Sequence, residues 1–135
     1  MVIASIEREA DMATLKVADI MTSSVTVAKP DDSIAYAAWL MADQDVGVLP
    51  VVQDGGVVGV VTDRDVAVRA VAGGISPQSE VRRIMTDQVI CCSPDDELEH
   101  AIELMSNEQV RRLPVCGPGG NLAGIIALAD AAHRD

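Results

Sequence analysis

The chain is written twice. Ile20-Met21-Thr22 recurs 64 positions on as Ile84-Met85-Thr86, and the same offset carries Pro30-Asp31-Asp32 onto Pro94-Asp95-Asp96, Met41 onto Met105 and Leu49-Pro50-Val51 onto Leu113-Pro114-Val115. Several matches at one offset define a duplicated structural unit. Further on the offset becomes 65, aligning Gly59 with Gly124 and Asp65 with Asp130, so the second copy holds one extra residue in Cys116–Leu122. An insertion of that kind belongs in a turn. The organisation read from the repeat is an N-terminal extension over 1–15, a first copy over 16–74, a linker over 75–80 and a second copy over 81–135.

Each copy has the same internal pattern. A short extended run, Val25–Ala28 or Val89–Cys92, leads to Pro30-Asp31-Asp32-Ser33 or Pro94-Asp95-Asp96-Glu97, where a turn former and N-cap acceptors announce a helix and place acidic groups at its positive end. Leu98, Ala101, Ile102 and Met105 then fall at i, i+3, i+4 and i+7, as do Ile34, Ala37, Ala38 and Met41, which makes one apolar face per helix. Val48–Val52 and Val57–Thr62 flank Gln53-Asp54-Gly55-Gly56, and Leu113–Cys116 and Leu122–Ala127 flank a Gly-Pro-Gly-Gly-Asn run, so two hairpins are predicted. A second helix is predicted from about Asp63 to Ala72, ended by Gly73-Gly74, and from about Leu128 to Ala132. The unit is therefore β-α-β-β-α, an α/β (α+β) pattern. About 60 residues alone bury too little surface to be comfortable, so the two copies are expected to pack sheet to sheet with pseudo-twofold symmetry.

Composition removes several functions. Ten basic against 21 acidic residues give a net charge of −11, which repels a phosphate backbone, and one Trp, one Tyr and no Phe leave no platform for stacking bases. Nucleic-acid binding is not expected. Nor is a membrane span, since no apolar run approaches the roughly 18–20 residues required. Glu7, Glu9 and Asp11 stand where a signal peptide would be basic and then apolar, so a cytoplasmic protein is expected. Cys91, Cys92 and Cys116 are odd in number and lack metal-ligand spacing; Cys91 and Cys92, in an apolar run, read as small buried hydrophobes, with a redox response through any of the three as a further reading. His100 and His133 face no recognisable nucleophile, no P-loop or zinc-binding HExxH motif occurs, and no catalytic or metal site is assigned.

Val17-Ala18-Asp19-Ile20-Met21-Thr22, the Leu-Pro-Val strands and above all Gly59-Val60-Val61-Thr62-Asp63-Arg64-Asp65, duplicated in register, resemble the cystathionine-β-synthase (CBS) domain. The pair over about Val17–Ala132 resembles a Bateman module, in the manner of small stand-alone bacterial two-CBS proteins. That resemblance implies adenosine-containing ligands (AMP, ADP or ATP, and less readily NAD or S-adenosylmethionine) with no required cofactor. It also implies clefts between paired copies, and homodimers formed through helix faces, for which Ala35–Ala42 and Val66–Ala72 are suited.

The strand-to-helix corner has its own chemistry. Thr62 offers a hydroxyl where a strand turns into a helix, and Asp65 can accept from a vicinal diol such as ribose. The plainer reading is that Thr62 and Asp63 only cap the helix; capping of that kind explains one oxygen rather than three side chains. By resemblance, one site uses Val60, Thr62, Arg64 and Asp65 closed by Thr86, Ile90 and Val110, and the other uses Ile125, Ala127, Ala129 and Asp130 closed by Thr22, Thr26 and Val46. The second lacks the hydroxyl, at Ala127, and the acidic cap, at Leu128, but gains Arg111-Arg112 where the first copy has Gly47-Val48. Two adjacent guanidinium groups suit a phosphate because each fork is bidentate; the alternative is that they pair with carboxylates such as Glu108. The function expected is regulatory nucleotide sensing, relayed to a protein partner or to oligomeric state, without catalysis. The alternative is a ligand-free dimerisation scaffold with degenerate clefts.

Overall fold

The computed structural model describes residues 15–132, so His133 and all but the last residue of the expected N-terminal extension lie outside it. In chain order the elements are α1 (Val17–Ile20), α2 (Ile34–Gln44), β1 (Val48–Gln53), β2 (Gly56–Thr62), α3 (Asp63–Asp65) running on as a π-helical stretch over Val66–Val71, and a 3-10 turn at Val81–Arg83. There follow α4 (Leu98–Glu108), β3 (Arg112–Cys116), β4 (Leu122–Ala127) and α5 (Leu128–Ala132). The strands form two two-stranded sheets, β1-β2 and β3-β4, in a mixed α+β fold.

The chain divides into two compact units that interleave in sequence. Among the described residues, one contains residues 15–23, Ile90–Gly117 and residues 123–132; the other contains Ser24–Val89 and Pro118–Leu122. The opening segment of each copy thus packs in the unit built on the other copy's helices and hairpin, and the exchange is reciprocal bond for bond. Val81 and Arg82 donate backbone N–H bonds to the carbonyls of Asp32 (2.8 Å) and Pro30 (3.1 Å), while Val17 and Ala18 donate to those of Asp96 (2.9 Å) and Pro94 (3.0 Å). Ile34 donates to Ser79 and Leu98 to Leu15 in the same way.

The segment then reaches the hairpin. Thr86 exchanges backbone bonds with Val60 (2.9 and 2.8 Å), and Thr22 with Ile125 (2.9 and 2.9 Å). Room for this comes from the two aligned glycines. A Cβ on Gly59 would lie 2.7 Å from Met85 Sδ and 3.0 Å from the Thr86 carbonyl oxygen; one on Gly124 would lie 2.7 Å from the Thr22 carbonyl oxygen and 3.0 Å from Met21 Sδ.

The apolar helix faces lie where the periodicity puts them. Ile34, Ala37 and Met41 are buried with Leu49, Val51, Val61, Val81 and Ile84 in one core, where Leu40 joins them and the expected Ala38 is only half-buried; Leu98, Ala101 and Met105 are buried with Val17, Leu113, Val115 and Ile126 in the other, with Ile102 half-buried against it. Both main helices end on a left-handed residue, Asp45 (φ 54°) and Gln109 (φ 56°), without the glycine that would have announced it. The β1-β2 loop places Asp54 (φ 53°) and Gly55 (φ 83°) in the left-handed region that a tight hairpin requires.

Three expectations change. The extended runs before Pro-Asp-Asp contribute one parallel bridge each, Ala28 to Val51 and Cys92 to Val115, rather than full strands. Pro50 and Pro114 lie on that edge; their carbonyls accept from Ala28 and Cys92, and the N–H that each lacks would point to the same side, so the hairpins lose nothing by them. The acidic pairs are not N-caps. Asp32 Oδ2 accepts from the Lys29 N–H (2.8 Å) and Asp96 Oδ2 from the Ser93 N–H (2.9 Å), turning the chain ahead of each helix, while Ser33 caps α2 through the Tyr36 N–H (3.0 Å). Lastly, the second helix of the first copy is a single α-turn followed by π-helical backbone.

No helix of the described residues is long and apolar enough to cross a membrane. Because the Gly124 contact is with backbone and the nearest Gly59 contact is with a flexible Met side chain, Gly124→Ala is expected to destabilise by about 1–3 kcal/mol and Gly59→Ala by less, measured as urea midpoints. Equal, negligible shifts would overturn this account of the two glycines.

Candidate functional site

Each hairpin delivers its second strand into a helix, and the two corners so formed are built alike but charged oppositely. In the first copy's unit the Asp63 N–H donates to the Gly47 carbonyl (3.0 Å); in the other unit the Leu128 N–H donates to the Arg111 carbonyl (2.8 Å). These are equivalent positions, so the pair Gly47/Asp63 has become Arg111/Leu128. A Cβ at Gly47 would sit 3.0 Å from Asp63 Oδ2, so the Asp63 carboxylate takes the space next to Gly47 that a side chain would need.

At the first corner Thr62 and Asp65 are occupied with each other. Thr62 Oγ1 accepts from the Asp65 N–H (3.0 Å) and Asp65 Oδ2 accepts from the Thr62 N–H (2.9 Å), a reciprocal capping box. The view that capping explains only one oxygen is thereby corrected: it engages both side chains, and Asp63 Oδ1 accepts from the Arg64 N–H (2.8 Å). The remaining oxygen of Asp65 faces Arg69 Nε at 3.6 Å, and that arginine also donates to the Ile84 carbonyl (3.3 Å). Arg64 is exposed. Thr86 stands beside Val60 in the same unit, with Thr26 and Val46 elsewhere in it; Ile90 and Val110, expected to close this site, belong to the other unit, where both are exposed.

At the second corner an open cleft of about 420 Å³ is lined by Arg111, Arg112, Ala127, Leu128 and Ala129. Arg111, Arg112, Ala127 and Ala129 are the candidates named from the sequence, and Leu128 is the position where the acidic cap is lost. Arg111 and Arg112 are exposed, and among the described residues neither has a carboxylate within ion-pair distance, so the pairing with Glu108 does not form. Ile125, two residues ahead of Ala127 on β4, is held by Thr22, and Asp130 is exposed on α5. Two guanidinium groups at the mouth of an apolar hollow can hold an anionic group while carbon surface receives the rest of a ligand.

Sequence reading misses a second hollow, of about 410 Å³, lined by Val27, Lys29, Pro30, Asp31, Val52, Gln53, Asp54, Gly55 and Arg82. Arg82 comes from the second copy's opening segment and is paired with Glu80 (2.6 Å). No local signal marks the hollow, because Lys29 and Arg82 meet only through the exchanged segment.

The family model described as the CBS domain matches residues 17–71 and 81–134. The chain belongs to the CBS-domain family, as a tandem pair. It is 41% identical over 116 residues, 86% of this chain and 82% of the relative, to the CBS domain-containing protein YhcV of Bacillus subtilis (strain 168). Its fold is similar to that of the CBS domain pair of protein MJ0100 in complex with 5′-methylthioadenosine and S-adenosyl-L-methionine: TM-score 0.81, 27% identity, covering 90% of this chain and 95% of that one. It is likewise similar to CBSX2 in complex with AMP: TM-score 0.77, 29% identity, covering 88% and 94%.

The capping box has a measurable consequence. Asp65→Ala is expected to lower stability by about 1 kcal/mol, the usual worth of an N-terminal cap, whereas Asp130→Ala, at an exposed carboxylate with no partner among the described residues, should stay within about 0.5 kcal/mol. Chemical denaturation of the two variants side by side checks it, and the reverse order would refute the assignment.

Proposed function

We propose that this chain is a non-catalytic regulatory protein that senses an adenosine-containing nucleotide of the AMP, ADP or ATP class. The phosphate is held by Arg111 and Arg112 and the signal is relayed to a protein partner or to oligomeric state. One observation carries the reading: the cleft at the second corner has two adjacent arginines without carboxylate partners among the described residues, in a chain of net charge −11. The AMP-bound and S-adenosylmethionine-bound relatives support the adenosine part. With one Trp and one Tyr in the chain, both on α2, adenine is gripped by aliphatic side chains such as Ile125 rather than by stacking. A ligand acts as a signal only through unequal affinity for two arrangements of the protein.

Titration calorimetry with AMP, ATP, NAD and S-adenosylmethionine tests this. Binding of an adenine nucleotide is expected, weakened about 10- to 100-fold in Arg112→Ala, the loss expected for a charge-assisted hydrogen bond. The ligand-free scaffold is favoured by Ala127, which lacks the hydroxyl, and by the self-satisfied Thr62–Asp65 box. Silence toward all four at millimolar concentration would establish that reading instead.

The same proposal includes a homodimer formed through α2 and the stretch after α3. Tyr36 (47% exposed) and Trp39 (58%) stack with ring centroids 6.2 Å apart, and Val68 (54%) and Val71 (75%) stand out on the π-helical stretch of the same unit. Light scattering should give twice the chain mass for the parent protein and the single mass for Trp39→Glu with an unchanged circular dichroism spectrum. A monomeric parent would rule out the dimer.

A further inference from the structure

All three cysteines of the chain gather at one strand pair. The Cys92 N–H donates to the Pro114 carbonyl (3.1 Å) and the Cys116 N–H to the Cys92 carbonyl (2.8 Å), so Cys92 is bridged in parallel to Val115. Successive residues of extended chain point to opposite faces. Cys92 and Val115 therefore share one face, and Cys91 and Cys116 share the other. The Cys92 thiol donates to the Pro114 carbonyl (3.9 Å) and is buried. The reading of Cys91 as a buried hydrophobe is corrected, since it is exposed; Cys116 is buried, and Cys91 is near enough to act on the Cys116 thiol.

The other copy shows the same placement independently. Ala28 is bridged in parallel to Val51, and the residues equivalent to Cys91 and Cys116 are Val27 and Val52, which line one hollow together. What is an apolar valine pair in one unit is a pair of thiols in the other, one open to solvent and one beneath it. Among the described residues the thiols do not join a cluster suited to a metal ion.

We propose that Cys91 and Cys116 are an oxidant-responsive pair that closes into an intramolecular disulfide on exposure to a hydroperoxide, leaving Cys92 reduced. The Cys91 thiolate attacks one peroxide oxygen; the O–O bond breaks, hydroxide leaves, and Cys91 becomes a sulfenic acid. The Cys116 sulfur then attacks the Cys91 sulfur; the S–S bond forms, the S–O bond breaks, and the departing hydroxide takes the Cys116 proton as water. Two thiols give up two electrons and the peroxide is reduced to two waters. Burial first, and then the neighbouring Cys91, push the Cys116 thiol up to about 12 from 9.0, which makes it a poor leaving group and the closed disulfide slow to reopen. The bond would fasten the segment entering the second copy to the end of β3, the strand that begins at Arg112.

The test oxidises the full reduced chain with equimolar hydrogen peroxide, alkylates the remaining thiols and maps the tryptic peptides. The expected product links Ile84–Arg111 to Leu113–Arg134, runs as a single chain on a non-reducing denaturing gel, and leaves one of the three thiols free. The link should vanish in Cys91→Ser and survive in Cys92→Ala. A link that persists in Cys91→Ser, a link lost in a folded Cys92→Ala, covalent dimers, or sulfinic acid at Cys91 with no link would each overturn the proposal.

Discussion

The fold rests on a close antiparallel approach between an Ile-Met-Thr segment and a glycine-bearing strand, made twice. Each time the segment comes from the other copy: Thr86 lies against Val60 next to Gly59, and Thr22 against Ile125 next to Gly124. Without these contacts each hairpin would present a bare edge and each Pro-Asp-Asp turn would have unfilled carbonyls at Pro30 and Asp32, or Pro94 and Asp96. The exchange also completes the cores, because Val81 and Ile84 are buried with the first copy's helix and Val17 with the second's. Neither copy is a finished folding unit, which is the physical reason that the sequence contains two.

Duplication sets up two corners and local substitution makes them different. Where the first copy has Gly47 and Asp63, the space beside the strand entrance is filled by a carboxylate, and the helix start is closed by the Thr62–Asp65 box with Arg69 across its outer oxygen. Where the second has Arg111 and Leu128, the carboxylate is gone, the box is gone with Ala127, and two guanidinium groups face solvent at the rim of a cleft. A self-satisfied corner gives an incoming polar ligand little, since every bond it offers replaces one already made. A cationic rim without carboxylate partners among the described residues has the opposite balance.

Much of this was legible in the residues and some of it was not. The 64-residue offset, the apolar helix faces, the Asp54-Gly55 turn and the Arg111-Arg112 pair are local patterns, and they lie where their chemistry places them. The bond-by-bond exchange was not legible, because contacts such as Val81 to Asp32 join residues tens of positions apart and two equivalent segments compete for each place. Nor was the fate of the polar side chains. Asp32 reads as a cap and is a turn acceptor for Lys29; one oxygen of Asp65 is taken by the Thr62 N–H in a capping box. A carboxylate three residues from an N–H has several local partners of similar strength, and only the backbone path decides among them. The hollow that joins Lys29 to Arg82 follows from the exchange and inherits its invisibility.

The cleft at the second corner is tied to the exchanged segment through one strand. Ile125 and Ala127 lie on the same face of β4; the first is bonded to Thr22 through both its N–H and its carbonyl, and the second lines the cleft. Displacing the 15–22 segment would free the edge of the strand that forms the cleft wall, so a group held there stabilises the docked segment only to the extent that it binds the docked form better than the released one. The first corner has a matching tie through Val60 and Thr62, with the capping box already fixing the strand end. The two corners differ in what an anionic group would meet: at the second the strand end is held by the Leu128 bond to Arg111, and the arginine side chains are unpaired among the described residues.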